Sequence, residues 1–222
     1  MSGKLWFTSE PVEDKAVLFV AVPDISAQPH PTNALLSRTR IKLSSDPSPT
    51  AVLEADFLRT WPLLTGLPGL PLKLVFPDFH LTLSDSVGKK TAFLRHLLQV
   101  LELPDVAVLT ERAEQSGRDP ETRESFDLVL ARGVAKLPAL LEHALPLCHI
   151  EGKVVAWKHG GIQRELESAQ RALQLLGGRW GQIVPVALAG LTDNRILVTV
   201  EKVSATPAEY PRRPGLPRKQ PL

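Results

Sequence analysis

From Leu70 onward the apolar positions switch repeatedly between helical and strand spacing. Leu70–Phe76 reads as a helix, with Pro68 and Pro71 placed to suit its first turn. Phe79–Ser84 alternates as a strand. Lys89–Leu103 carries Phe93, Leu94, Leu97, Leu98 and Leu101 on one stripe, which predicts an amphipathic helix that Pro104 stops. Val106–Leu109 predicts a strand, and residues 117–125 a charged loop. Phe126–Leu130 predicts a strand ending in Ala131-Arg132, and Leu137–Leu147 the next helix. After a Glu151-Gly152 turn, Gly152–Trp157 reads as a strand. Gln163–Leu176 reads as a helix closed by Gly177-Gly178. Ile183–Leu188 and Arg195–Lys202 predict an antiparallel pair around a Gly-Asp-Asn loop.

Upstream of Gly66 the pattern is less legible. Ala16–Val22 is an apolar, β-branched-rich run bounded by Lys15 and Pro23-Asp24, which predicts a buried strand. Residues 25–32 are loop-like and 33–41 form a short basic segment. Residues 46–49 suit the cap of a helix over 51–64, which Pro62 kinks or ends. Three regions result: an N-terminal part over 1–64, an α/β domain over 65–205, and a basic proline-rich tail over 206–222.

Strands alternating with helices predict a doubly wound, mostly parallel sheet covered on both faces. A closing antiparallel pair on such a sheet is the arrangement of S-adenosylmethionine-dependent methyltransferases. Ligands of these sheets sit at the carboxyl ends of the strands, which singles out the Gly66 turn, Asp85, Ala113-Glu114 and Ala131-Arg132. Asp85 follows Gly66 by about 19 residues, near the roughly 20-residue offset of a ribose-binding carboxylate.

Composition narrows the class. With 43% hydrophobic and 23% charged residues, the 222-residue chain reads as globular. A net charge of +2 demands no anionic partner, so only local basic clusters argue for one. A single cysteine, Cys148, excludes an internal disulfide and a multi-cysteine zinc site. His143 and His149 lack a third ligand for a metal, so none is expected. No signal peptide or bilayer-spanning run is recognisable, which predicts a cytoplasmic location.

Six stretches in order resemble the RsmG (GidB) family: residues 66–77 (GLPGLPLKLVFP), 81–98 (LTLSDSVGKKTAFLRHLL), 111–114 (ERAE), 126–147, 152–158 (GKVVAWK) and 200–222, with YPRRPGLP the most specific. The resemblance implies methylation of a guanine N7 in small-subunit ribosomal RNA with S-adenosylmethionine as cofactor. It implies cofactor contacts from Gly66 and Leu67, from Asp85 to the ribose, from Ala113 and Glu114 at the adenine, and from Arg132. Lys89, Lys90, Lys158, Arg212 and Arg213 are the RNA-facing candidates. The partner is small-subunit rRNA or the assembling small ribosomal subunit, met by a monomer. Each residue also has a plainer reading: a helix-start turn, a strand-end cap, an exposed loop acid, surface salt bridges and a solvated tail.

One departure stands out. The family carries a strand ending in an Asp-Val-Gly-Ser/Thr-Gly-like sequence directly before the Gly-Leu-Pro-Gly turn. Here Leu63-Leu64-Thr65 runs straight into Gly66. The first strand and glycines look deleted, and the hypothesis is that Ala16–Val22 stands in for that strand. A non-catalytic methyltransferase-fold RNA-binding protein is the alternative function. A dehydrogenase is a weaker third, since it leaves the tail unexplained.

Overall fold

The computed structural model describes residues 66–186 and 194–222 and the backbone of Ala16–Val20. The helix expected over 51–64, the segments over 25–49 and the loop after Val186 lie outside the described residues. In chain order the elements are β1 (Ala16–Val20), α1 (Gly69–Val75), β2 (His80–Ser84), α2 (Gly88–Val100), β3 (Ala107–Leu109) and α3 (Ala113–Ser116). Then come β4 (Phe126–Arg132), α4 (Leu137–Ala144), β5 (Cys148–His159), α5 (Gln163–Leu175), β6 (Gly178–Pro185), β7 (Arg195–Lys202) and α6 (Leu216–Lys219).

The strands form one sheet in the order β3-β2-β1-β4-β5-β7-β6. The first five strands run parallel, and β7 pairs antiparallel with both β5 and β6. β1 is central. Its Val20 lies level with Ser84 of β2 on one side and Ala131 of β4 on the other. The position between β2 and β4 is therefore taken by a strand from far upstream in the chain. Without β1, both β2 and β4 would present unpaired edges in the middle of the sheet.

Two hydrophobic layers cover the sheet. On one, Leu140, Leu141, Leu145 and Leu147 of α4 and its following turn pack with Ala169, Ala172 and Leu173 of α5 over β4, β5 and β7. On the other, Leu94 and Leu98 of α2 meet Leu70 of α1 and Leu81 and Leu83 of β2. Burying each such leucine contributes about 1.5–3 kcal/mol.

The starts of two strands differ most from expectation. β5 begins at Cys148 rather than after the Glu151-Gly152 turn, which is instead an irregularity within the strand. Glu151 has φ +75°, and the β4–β5 register shifts between Phe126 and Leu128. β6 begins at Gly178, not Ile183, because Gly177 reverses the chain at φ +79° and sends it directly into the sheet. A Cβ on Gly177 would lie 2.2 Å from the Ser204 carbonyl oxygen. Gly177→Ala is therefore expected to cost at least ~1–2 kcal/mol, the penalty of a left-handed L-residue alone. An unchanged midpoint in urea unfolding would contradict this entry into β6.

The tail is not a free appendage. Pro211 and Pro217 are buried, and Tyr210 and Leu222 pack against the core.

Candidate functional site

The carboxyl ends of β2, β1 and β4 meet at one edge of the sheet, and the candidate site lies there. The Asp85 amide donates to the Leu109 carbonyl (3.2 Å), tying the end of β2 to that of β3. A side-chain relay reinforces the tie: Thr110 Oγ1 donates to Thr91 Oγ1 on α2 (2.8 Å), and Arg95 donates to the Val108 carbonyl and to Thr110.

Asp85 is 1% exposed. Its Oδ1 accepts from the Val87 amide (2.9 Å), which fixes the turn into α2. Its Oδ2 lies 3.8 Å from Lys90 Nζ and has no hydrogen-bond partner; Lys90 Nζ and Ser84 Oγ share that condition. Burial raises the Asp85 pKa above the ordinary carboxylate value, against the lowering effects of the Val87 amide and Lys90. A buried carboxylate oxygen without a partner costs free energy that a ligand hydroxyl would return. That is the donor and acceptor chemistry a ribose diol needs, so the site suits an adenosyl cofactor.

Gly66 takes φ +90°, and its carbonyl accepts from the Leu70 amide (2.9 Å) to start α1. A Cβ there would meet Leu94 and Leu70 side-chain carbons at 2.8 and 2.9 Å. Glycine is thus required both for the turn and for the approach of α1 to α2. Leu67 beside it is buried.

Arg132 ends β4 at the same edge. Burial, and secondarily the nearby Arg195 guanidinium at the start of β7, lower its pKa. The two guanidinium groups together make this edge locally positive.

Ala113 and Glu114 open α3, directly after β3, and both are buried. Glu114 is thus a buried acid rather than an exposed loop acid. Its Oε1 accepts from the Gly215 amide of the tail (2.7 Å), and its Oε2 lies 4.0 Å from His143 Nδ1. Ala113 is 3% exposed and belongs to the core cluster that includes α4.

The basic candidates divide. Lys89 and Arg213 are exposed. Lys90 faces Asp85, as described. Lys158 donates to the Ala135 carbonyl (2.8 Å) and pairs with Glu165, whose Oε1 also accepts from the Leu137 amide, joining β5 to α4 and α5. Arg212 is held by Glu142 through Nε to Oε1 (2.8 Å) and Nη2 to Oε2 (2.7 Å), a bidentate pair on a fully buried carboxylate. These three cations thus have internal partners.

Sequence reasoning missed Glu142, Lys202, Arg118 and Arg123. Glu142 had a signal, an acid inside the apolar run Leu137–Leu147. Lys202 had one too, because it shares the period-2 face of Val198 and Val200. No local pattern marks Arg118 and Arg123, whose partners lie in the tail. Among the described residues no cluster of three or more histidine, cysteine, aspartate or glutamate side chains could hold a metal ion, and no helix is long and apolar enough to cross a membrane.

Comparison with known proteins agrees with this architecture. Residues 65–190 match the family model for rRNA small subunit methyltransferase G. The chain is 50% identical over 157 residues to the Ribosomal RNA small subunit methyltransferase G of Roseiflexus castenholzii, covering 71% of this chain and 67% of that protein. It is 42% identical over 178 residues to the protein of the same name from Halalkalibacterium halodurans, covering 78% and 75%. In fold it is similar to a 16S rRNA (adenine(1408)-N(1))-methyltransferase mutant from Catenulisporales acidiphilia, at TM-score 0.51 and 9% identity over 87% of each chain. A putative methyltransferase from Thermoplasma acidophilum gives TM-score 0.50 at 9% identity, covering 87% of this chain and 70% of that one. The matched length and the identities place it: this chain belongs to the rRNA small subunit methyltransferase G family.

Proposed function

We propose that this chain transfers the methyl group of S-adenosylmethionine to N7 of a guanine in small-subunit ribosomal RNA. The observation that carries the reading is Asp85, a buried acid with one unsatisfied oxygen at the ligand edge beside β1, in a chain of this family. In this reading Asp85 accepts from the ribose hydroxyls. The backbone at Gly66 and Leu67 and the Ala113 end of α3 border the cofactor, and Arg132 faces anionic groups at the same edge.

When bound, S-adenosylmethionine supplies an electrophilic methyl group. Guanine N7 has a free lone pair and loses no proton, so the protein's task is to position and desolvate rather than to supply a general base. A site without a dedicated catalytic histidine or cysteine suits that task. Lys89 and Arg213, with the exposed Arg218 and Lys219, are left to contact RNA phosphates. The chain acts as a monomer in the cytoplasm on the rRNA or the assembling small subunit.

The test is transfer of a labelled methyl group from S-adenosylmethionine to small-subunit rRNA, followed by borohydride and aniline treatment, which cleaves RNA at 7-methylguanine. Label at one position, coincident with cleavage, is expected. Label without cleavage would contradict N7 as the target atom, and no label would contradict the activity.

A further inference from the structure

The C-terminal segment packs along α3 and α4 through bonds that converge on the loop after β3. Arg118 at the end of that loop donates to the Pro211 carbonyl (2.7 Å) and the Glu209 carbonyl (2.9 Å). Arg123 bridges the two segments: Nη1 donates to the Gly117 carbonyl (2.7 Å) and to the Tyr210 carbonyl (2.8 Å), and Nη2 to the Thr206 carbonyl (2.7 Å). Gly117 carries the Pro211 ring so closely that a Cβ would meet its Cγ at 2.9 Å. The Gly215 amide reaches Glu114, and Arg212 is locked on Glu142, its own amide also donating to Glu142 Oε1 (2.8 Å).

These contacts have a direction. α3 is a four-residue helix, too short to hold its shape alone. It follows β3 at the ligand edge, so its placement sets one wall of the site. From Glu209 onward these tail contacts grip the loop and its exit or anchor the tail to α4, whereas Thr206 at its root is held by Glu124 and the Leu176 carbonyl. We infer that residues 206–222 are a strap that holds the loop after β3 in its cofactor-binding form, with Arg212 and Glu142 as the latch. Both are positioning residues, since neither lies at the ligand edge. The inference rests on the proposed function and deepens it: the segment that resembles a basic RNA tail serves the cofactor side as well. Its outward cations and its inward Arg212 share one short backbone.

Arg212→Gln removes the latch. Gly117→Ala is a second, independent variant, because alanine suits the helical φ of −67° at this position while its methyl lifts Pro211 away. For each variant, folding is checked by circular dichroism, amide exchange is followed over 113–117, and KM values for S-adenosylmethionine and rRNA are measured with kcat. The expected result is faster exchange over 113–117 and a KM for S-adenosylmethionine raised about tenfold or more, with kcat at saturation and KM for rRNA near those of the unmodified protein. If Arg212→Gln fails to fold, Gly117→Ala decides alone. An unchanged cofactor KM, or a loss confined to kcat as a smaller active fraction would give, overturns the strap while leaving the proposed function standing. Inactivity of the unmodified protein on rRNA overturns both.

Discussion

Asp85→Ala is expected to weaken S-adenosylmethionine binding by ~1.5–3 kcal/mol, the range for hydrogen bonds to a charged group, or roughly 10- to 150-fold in Kd. Calorimetric titration of the variant against the unmodified chain measures it. The stability of the unliganded protein should change by less, because relief of the buried, unpartnered Oδ2 offsets loss of the Val87 amide bond and of the charge facing Lys90. Burial holds the Asp85 pKa above its unfolded value, so the ionised carboxylate is disfavoured by the fold. The unliganded protein therefore gains stability as pH falls through the raised value, and it loses that pH response in Asp85→Ala. A residue that costs stability in the free protein and repays it on binding is the signature of a site. Unchanged affinity in the variant would remove Asp85 from it.

The second large effect is structural. Lys202 is 1% exposed and donates to the Leu145 carbonyl (2.9 Å), the Leu176 carbonyl (3.3 Å) and Thr206 Oγ1, and it pairs with Glu124 at 3.0 Å. It thus ties β7 to the ends of α4 and α5 and to the root of the strap. Lys202→Met keeps the stem and removes the charge, leaving Glu124 without its ion-pair partner; the Leu145 and Leu176 carbonyls each lose one donor and keep the Cys148 amide and Thr206 Oγ1. The expected loss is about 3 kcal/mol, the low end for breaking a buried pair because Glu124 remains partly wet. The corresponding fall in Tm is ~6–12 °C for a chain of this size.

The pH dependence adds a check on the same variant. Burial raises the Glu124 pKa, but the Thr206 amide and Lys202 outweigh it and hold the carboxyl below its ordinary value. That stabilisation is present above the unfolded-state pKa and is lost as pH falls through the folded one. Lys202→Met should flatten this acid-side loss. Equal Tm values for variant and parent at neutral pH would contradict the role given to Lys202.

Much of the sheet was legible because its elements obey simple periods. The stripe on α2 put Leu94 and Leu98 in the core as expected, and the alternation of β7 buried Val198 and Val200. The place of Asp85 at the carboxyl end of β2 was legible from the alternating run before it. The strand supplied by Ala16–Val20 was legible only in part. An apolar run announces burial, but it carries no information on which strands it will join across a long stretch of chain. Its pairing with β2 and β4 supports the substitution hypothesis over Ala16–Val20, the described part of the run from 16 to 22.

The tail illustrates the opposite limit. Composition shows the charges on Arg212 and Arg213 but not that one of them meets a buried Glu142 some 70 residues earlier. Such long-range ion pairs leave a trace only as an acid in an apolar helix and a base elsewhere, with nothing to match them. The same holds for Glu114, whose partner is a backbone amide 101 residues away.

The central claim is that a chain lacking the family's strand and glycines before Gly66 still builds a cofactor site around β1. Calorimetric titration of the unmodified chain with S-adenosylhomocysteine tests it most directly. Saturable one-to-one binding in the micromolar range is the predicted result, and absence of binding at millimolar ligand would contradict it.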